Sequence, residues 1–157
     1  DGAFVIATTS QHNQERVKQA GADVVLAYDA VDLKDQILTA APDGIDYAIE
    51  VEFGVNAPLL AEVMKANAQI VTYGSALNMA PTLPFGPFLF KAIKIDIALI
   101  YILDLENRRN AIDTLHKAHA DGVLKSDIHA IFDLSDIASA HSTIEAGKRS
   151  GAVLIRL

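Results

Sequence analysis

Short apolar runs rich in Val and Ile begin near residues 3 (AFVIAT), 23 (DVVLAY), 45 (IDYAIEV), 69 (QIVTY) and 95 (IDIALIYI), at intervals of 20 to 26 residues. That spacing leaves room for one helix between successive strands, the rhythm of repeated βα units. The runs are continuous rather than alternating, which predicts strands covered on both faces, as in a parallel sheet with helices on either side. The intervening segments carry helix signals. Ser10 is placed to cap a helix through Ala20, and Asp32 precedes Leu33, Ile37, Leu38 and Ala41 before a stop at Pro42-Asp43-Gly44. Asn56 and Pro58 open a helix that buries Leu59, Leu60, Val63 and Met64. A longer helix after the fifth run carries Leu105, Ile112 and Leu115 along one side and ends at Gly122. The rhythm then changes: "SDIHAIFDL", a helix over about 135–147 and "AVLIRL" read as strand, helix, strand.

Right-handed crossovers turn such a series into an α/β, doubly wound parallel sheet, with ligands at the carboxyl ends of the strands. The predicted organisation is a single domain over 1–157 with one main core. Between Gly74 and Gly86 lies a loop with Pro81 and Pro84, of a length that often helps form a ligand site. No glycine-rich phosphate loop stands ahead of the first run, since the glycines at 44, 74, 86 and 151 are isolated. The opening therefore reads as the interior of a longer fold.

Charge and composition narrow the partners. With 13 basic against 20 acidic residues, the net charge of -7 lacks the positive field that a nucleic-acid binder or an anionic membrane surface requires. The absence of cysteine removes disulfides, thiolate metal sites and a cysteine nucleophile from this span. The most apolar run, "IALIYIL" at 97–103, falls far short of the ~20 residues that cross a bilayer and is expected to be a buried strand. "DGAFVIA" has neither the basic start nor the long apolar core of a signal peptide and reads as a cut end; without cysteine the redox compartment is not legible, and the cytoplasm is the default expectation.

The order of several motifs is more specific. "VIATTSQHN", "VKQAGADVVLAY", "GIDYAIEVEFG", "QIVTYGS", "GVLKSDIHAIFDLSDIASAH" and "EAGKRSGAVLIRL" together resemble the carboxyl-terminal half of a zinc-independent medium-chain dehydrogenase/reductase of the quinone oxidoreductase, or zeta-crystallin-like, group. The resemblance covers essentially the whole chain. It implies a Rossmann-like cofactor domain that begins at the family's second strand, without the first strand, the glycine-rich turn or the amino-terminal catalytic domain. It also implies that 123–157 includes the return to that catalytic domain, that no zinc is held here, and that the strand at 95–103 forms a homodimer.

For the cofactor NADPH the resemblance implies contacts from Thr9, Ser10 and Asn13 at the end of the first run, Tyr28 at the end of the second, and Gly74 and Ser75 at the end of the fourth. Each has a plainer role beside that one. Ser10 is a helix cap, Tyr28 a strand-end aromatic, and Gly74 and Ser75 a tight turn. The family's Lys or Arg close to Asn13 is missing, and Arg16 is the nearest substitute. Tyr101 matches a position near the nicotinamide, but a core or interface tyrosine is the stronger expectation.

Other chemistry is weaker. Glu50 and Glu52 point the same way along a strand, as paired carboxylates do, yet no partner is tied to them by spacing. His116 and His119 share a helix face without a recognisable third ligand, and His141 sits on an apolar helix side as a structural residue. No catalytic residue stands out. The sequence thus points to an NADPH-dependent oxidoreductase acting on a quinone or an enone. The alternative is a non-catalytic nucleotide-binding or oligomerisation module, with a methyltransferase as a third option.

Overall fold

The computed structural model describes residues 2–157. Contacts divide the chain into two compact units that meet in sequence between Ile100 and Tyr101. In the first, β1 (Ile6–Thr9) pairs in parallel with β2 (Val24–Ala27), from Ile6 opposite Val24 to Thr9 opposite Ala27. A separate sheet in that unit has the order β3 (Ile45–Glu50), β4 (Met64–Thr72), β5 (Lys94–Ile97), again all parallel. Helices α1 (Gln14–Gln19), α2 (Leu33–Ala40), α3 (Phe53–Val63) and α4 (Phe85–Phe90) connect the strands. This is the α/β parallel architecture that the spacing of the apolar runs predicts, and among the described residues no strand joins β1 to β3.

The core of this unit lies between α3 and the face of β4. Leu60, Ala61, Met64, Ala68, Ile70 and Phe88 form one buried cluster, with Met64 and Ile70 completely enclosed. Enclosing one such side chain is worth about 1.5–3 kcal/mol, so these residues fix how α3 lies on the sheet. A second cluster of Leu33, Ile37 and Val63 takes in Leu26 of β2 and Ile45 of β3, tying the two sheets through α2.

Several expectations are corrected here. Continuous apolar character does not mean that both faces are covered: Ala48 of β3 meets the core, while Tyr47 and Ile49 are 73% and 82% exposed. "IALIYIL" is not a buried strand. The β-structure stops at Ile97, a 3-10 turn follows at Ile100–Ile102, and every residue from Ile97 to Leu103 is exposed. Ser10 does not cap a helix through its side chain, because a 3-10 turn at Gln11–Asn13 precedes α1. Helix α3 begins at Phe53, ahead of Asn56 and Pro58, so the proline sits inside it.

In the second unit, α5 (Leu105–Ala120) is capped by Asp104. Strand β6 (Ile128–Asp133) pairs in parallel with β7 (Ala152–Arg156) across α6 (Ile137–Glu145). Its apolar surface is little covered: α5 has no buried residue, so Leu105, Ile112 and Leu115 share no packed face, and Ala140 is the buried residue of α6. No helix among the described residues is long and apolar enough to cross a membrane.

Candidate functional site

The carboxyl ends of β1 and β2 bring four of the predicted residues together. The register places Thr9 opposite Ala27, and the Tyr28 N–H then donates to the Thr9 carbonyl at 3.0 Å, closing the ladder one residue beyond the strands. Tyr28 leaves the sheet at that point and is 61% exposed. The chain turns after Thr9 through the 3-10 segment, held by the Asn13 N–H donating to the Ser10 carbonyl at 3.0 Å. That turn converges three side chains. Asn13 Nδ2 donates to Ser10 Oγ at 3.1 Å and lies 3.2 Å from His12 Nε2, which is 3.4 Å from Ser10 Oγ. Sequence reasoning missed His12. Its signal is the Ser-x-His-Asn order, which the 3-10 turn at Gln11–Asn13 folds into one small cluster.

At the ends of β3 and β4 the chain is braced more tightly. The Tyr73 N–H donates to the Glu50 carbonyl at 3.1 Å and the Phe53 N–H to the Gly74 carbonyl at 3.2 Å, around an isolated bridge between Glu52 and Ser75. Gly74 is required by this crossing itself, since a Cβ there would stand 2.5 Å from the Val51 carbonyl oxygen. Ser75 Oγ accepts the Gly54 N–H at 2.7 Å and donates to the Asn78 carbonyl at 2.5 Å. The structure thus gives Ser75 a bracing role inside the chain. Neither glutamate is poised for proton transfer. Glu50 Oε1 accepts the Glu52 N–H at 2.6 Å and Asn56 Nδ2 at 3.0 Å, and Glu52 Oε1 accepts the Leu77 N–H at 3.0 Å.

The remaining candidates belong to the second unit. Tyr101 is 80% exposed, and its carbonyl accepts Arg108 Nη2 at 3.2 Å. His119 Nδ1 lies 3.2 Å from the Leu124 carbonyl, and His116 and His141 are exposed. An open apolar hollow of about 380 Å³ between α4 and β5, lined by Leu83, Phe85, Phe88 and Ile95 among others, presents no polar side chain.

Comparison with known proteins extends this picture. The profile of a family described as zinc-binding dehydrogenase matches residues 1–117. No curated protein matches the sequence. Among solved structures, the chain is similar to an NAD-dependent alcohol dehydrogenase at 22% identity and TM-score 0.83, covering 99% of this chain and 44% of that one. It is similar to AibC at 22% identity and TM-score 0.84, covering 100% and 46%. A mycobacterial protein, Rv1454c, complexed with NADPH aligns at 19% identity and TM-score 0.80, covering 99% and 49%. The chain spans less than half the length of these proteins, and at such identities the likeness establishes the Rossmann-like cofactor-domain fold.

Two groups that such a family implies can be tested against the residues. Among those described, no three His, Cys, Asp or Glu side chains come close enough to hold a metal. The donor set here therefore does not fit zinc. A nucleotide phosphate fits better: the end of β1 offers hydroxyl, amide and imidazole groups with no carboxylate among them.

Proposed function

Because the chain belongs to the zinc-binding dehydrogenase family, we propose that it forms the cofactor-holding part of an NADPH-dependent oxidoreductase of the quinone or enone reductase type, working without zinc. One observation carries the choice of cofactor. NAD-specific sites place Asp or Glu at the end of the second Rossmann strand, where it accepts from both ribose hydroxyls and repels a 2′-phosphate. Here that end reads Thr8-Thr9-Ser10, and the first acid after it is Glu15. The Glu15 carboxylate accepts Gln19 Nε2 at 2.9 Å along α1. The similar structures do not decide the matter, one being NAD-dependent and another complexed with NADPH.

When bound, the reduced nicotinamide supplies a hydride to an electrophilic carbon or a quinone. The chain's own residues bind and orient. In this reading Ser10 and Asn13 donate to phosphate oxygens, Thr9 and Tyr28 line the same strand ends, and Gly74 and Ser75 set the loop after β4 against the dinucleotide. Glu50 and Glu52 hold that loop's shape, which leaves proton transfer to other groups.

The test compares kcat/KM for NADPH and NADH in the full-length protein and in Ser10→Asp. The parent is expected to favour NADPH by ~1–2 kcal/mol, the worth of one or two charge-assisted hydrogen bonds. The variant is expected to shift toward NADH. Equal use of both cofactors by the parent, or no shift in the variant, would overturn the reading.

A further inference from the structure

The side-chain cluster at the end of β1 is joined by hydrogen bonds that a charge on His12 would rearrange. Asn13 Nδ2 carries hydrogens only, so at 3.2 Å the lone pair of His12 Nε2 is its acceptor. When the imidazole gains a second proton, Nε2 becomes a donor and two donors face each other. The pairing is relieved when an anion's oxygen takes a place between them. Ser10 Oγ, 3.1 Å from Asn13 Nδ2 and 3.4 Å from Nε2, supplies a third donor to the same point. A phosphate monoester, with three acceptor oxygens, matches that set.

Resting on the reading of Ser10 and Asn13 as the ribose-phosphate end of a dinucleotide site, we propose that His12 is the charge-bearing member of that end and makes recognition of the 2′-phosphate depend on pH. Histidine is the side chain whose ordinary range of titration spans mildly acidic to neutral conditions. The other charged or titratable groups on the adjoining segments are Glu15, Arg16 and Lys18 of α1, and Tyr28 and Asp29 beyond β2. Glu15 is turned along its helix to Gln19, and Asp29 follows the tyrosine whose N–H closes the β1–β2 ladder. Arg16 and Lys18 add positive charge on α1, while the imidazole of His12 is the group whose donor and acceptor roles change with its protonation.

The experiment measures dissociation constants of NADPH, NADH and adenosine 2′,5′-bisphosphate for the full-length protein, His12→Gln and His12→Lys. The phosphate itself changes charge near pH ~6, so the informative quantity is the ratio of variant to parent at each pH. For the two phosphorylated ligands, the His12→Gln ratio is expected near one at about pH 8.5 and about three- to tenfold weaker at about pH 6.5. For NADH it is expected to stay near one throughout. His12→Lys is expected to bind the phosphorylated ligands tightly at both pH values. Identical pH profiles for NADPH in parent and His12→Gln, with NADPH still preferred, would overturn the role of His12 alone. A parent that does not distinguish NADPH from NADH at any pH would overturn the reading beneath it. Weakening of NADH by the same factor would overturn the proposal in favour of a general structural role for the residue.

Discussion

The Asn78 side-chain amide donates to the Gly54 carbonyl at 3.2 Å, the acceptor that Pro58, four residues on in α3, has no N–H to serve. A proline inside a helix ordinarily strands that carbonyl. Here the loop after β4 supplies the missing donor, and Gly54 allows the close approach, since a Cβ there would stand 1.9 Å from the Asn78 carbonyl oxygen. The relationship links the helix to the loop that Ser75 and Glu52 also hold.

Asn78→Ala is expected to lower stability by about 1–3 kcal/mol, the cost of leaving a buried acceptor unserved. In a Pro58→Ala background residue 58 regains its N–H, and the same substitution is expected to cost much less. A urea-unfolding double-mutant cycle reads the coupling. Strictly additive effects would mean that the amide does not stand in for the proline.

Lys91 makes a contrast with Lys34. Its Nζ donates to the carbonyls of Ala61, Glu62 and Met64 at 2.9, 2.9 and 2.7 Å, gathering the free acceptors at the end of α3. Lys34 meets Glu62 at 2.7 Å on an exposed surface, an ion pair that raises the lysine pKa through its hydrogen bond and charge. Lys91→Met is therefore expected to destabilise by about 1.5–3 kcal/mol, as charged donors to backbone do, and Lys34→Met by an amount that salt screening makes small. Chemical denaturation of the two variants checks the ranking; equal losses would contradict it.

Asp104 caps α5 by accepting the Asn107 N–H at 2.8 Å and Asn107 Nδ2 at 2.7 Å, and these bonds hold its carboxyl below the usual range. The folded pKa is thus depressed relative to the unfolded one. The cap's contribution is complete above the unfolded carboxylate value and fades as pH falls through the folded one. Exchange protection of the amides at the start of α5 is expected to fall with acid in the parent and to be low and flat in Asp104→Ala. Matching profiles in both would show that the cap does not govern that turn.

Ile97, Ile100 and Ile102 are 84%, 62% and 78% exposed beside Tyr101 at 80%, a concentration of bare apolar surface that invites covering. A second copy of the chain is the expected cover. Sedimentation of the full-length protein should give a dimer that Ile100→Lys weakens. A monomer at high concentration, or a mass unaffected by the substitution, would count against self-association here.

Strand positions and the parallel α/β class were legible in the sequence because buried strands need apolar residues in runs, and the spacing of those runs leaves only a helix's worth of chain between them. The strand-end residues were legible for the same reason: Thr9, Ser10, Tyr28, Gly74 and Ser75 fall where β1, β2 and β4 stop or just beyond. What those side chains do was decided by tertiary structure. The 3-10 turn, rather than a capped helix, brings His12 to Ser10 and Asn13. The crossing of two loops makes Gly74 necessary against Val51, draws the Ser75 hydroxyl to Gly54 and Asn78, and lets a proline remain inside α3. Runs of Val and Ile carry their message in local composition, whereas a hydrogen bond between residues 21 or 24 positions apart depends on where the fold returns the chain, which no local pattern encodes. For the same reason "IALIYIL" and the Tyr47–Ile49 face read as interior, though the fold leaves them exposed: hydrophobicity states a preference for burial, and only packed neighbours fulfil it.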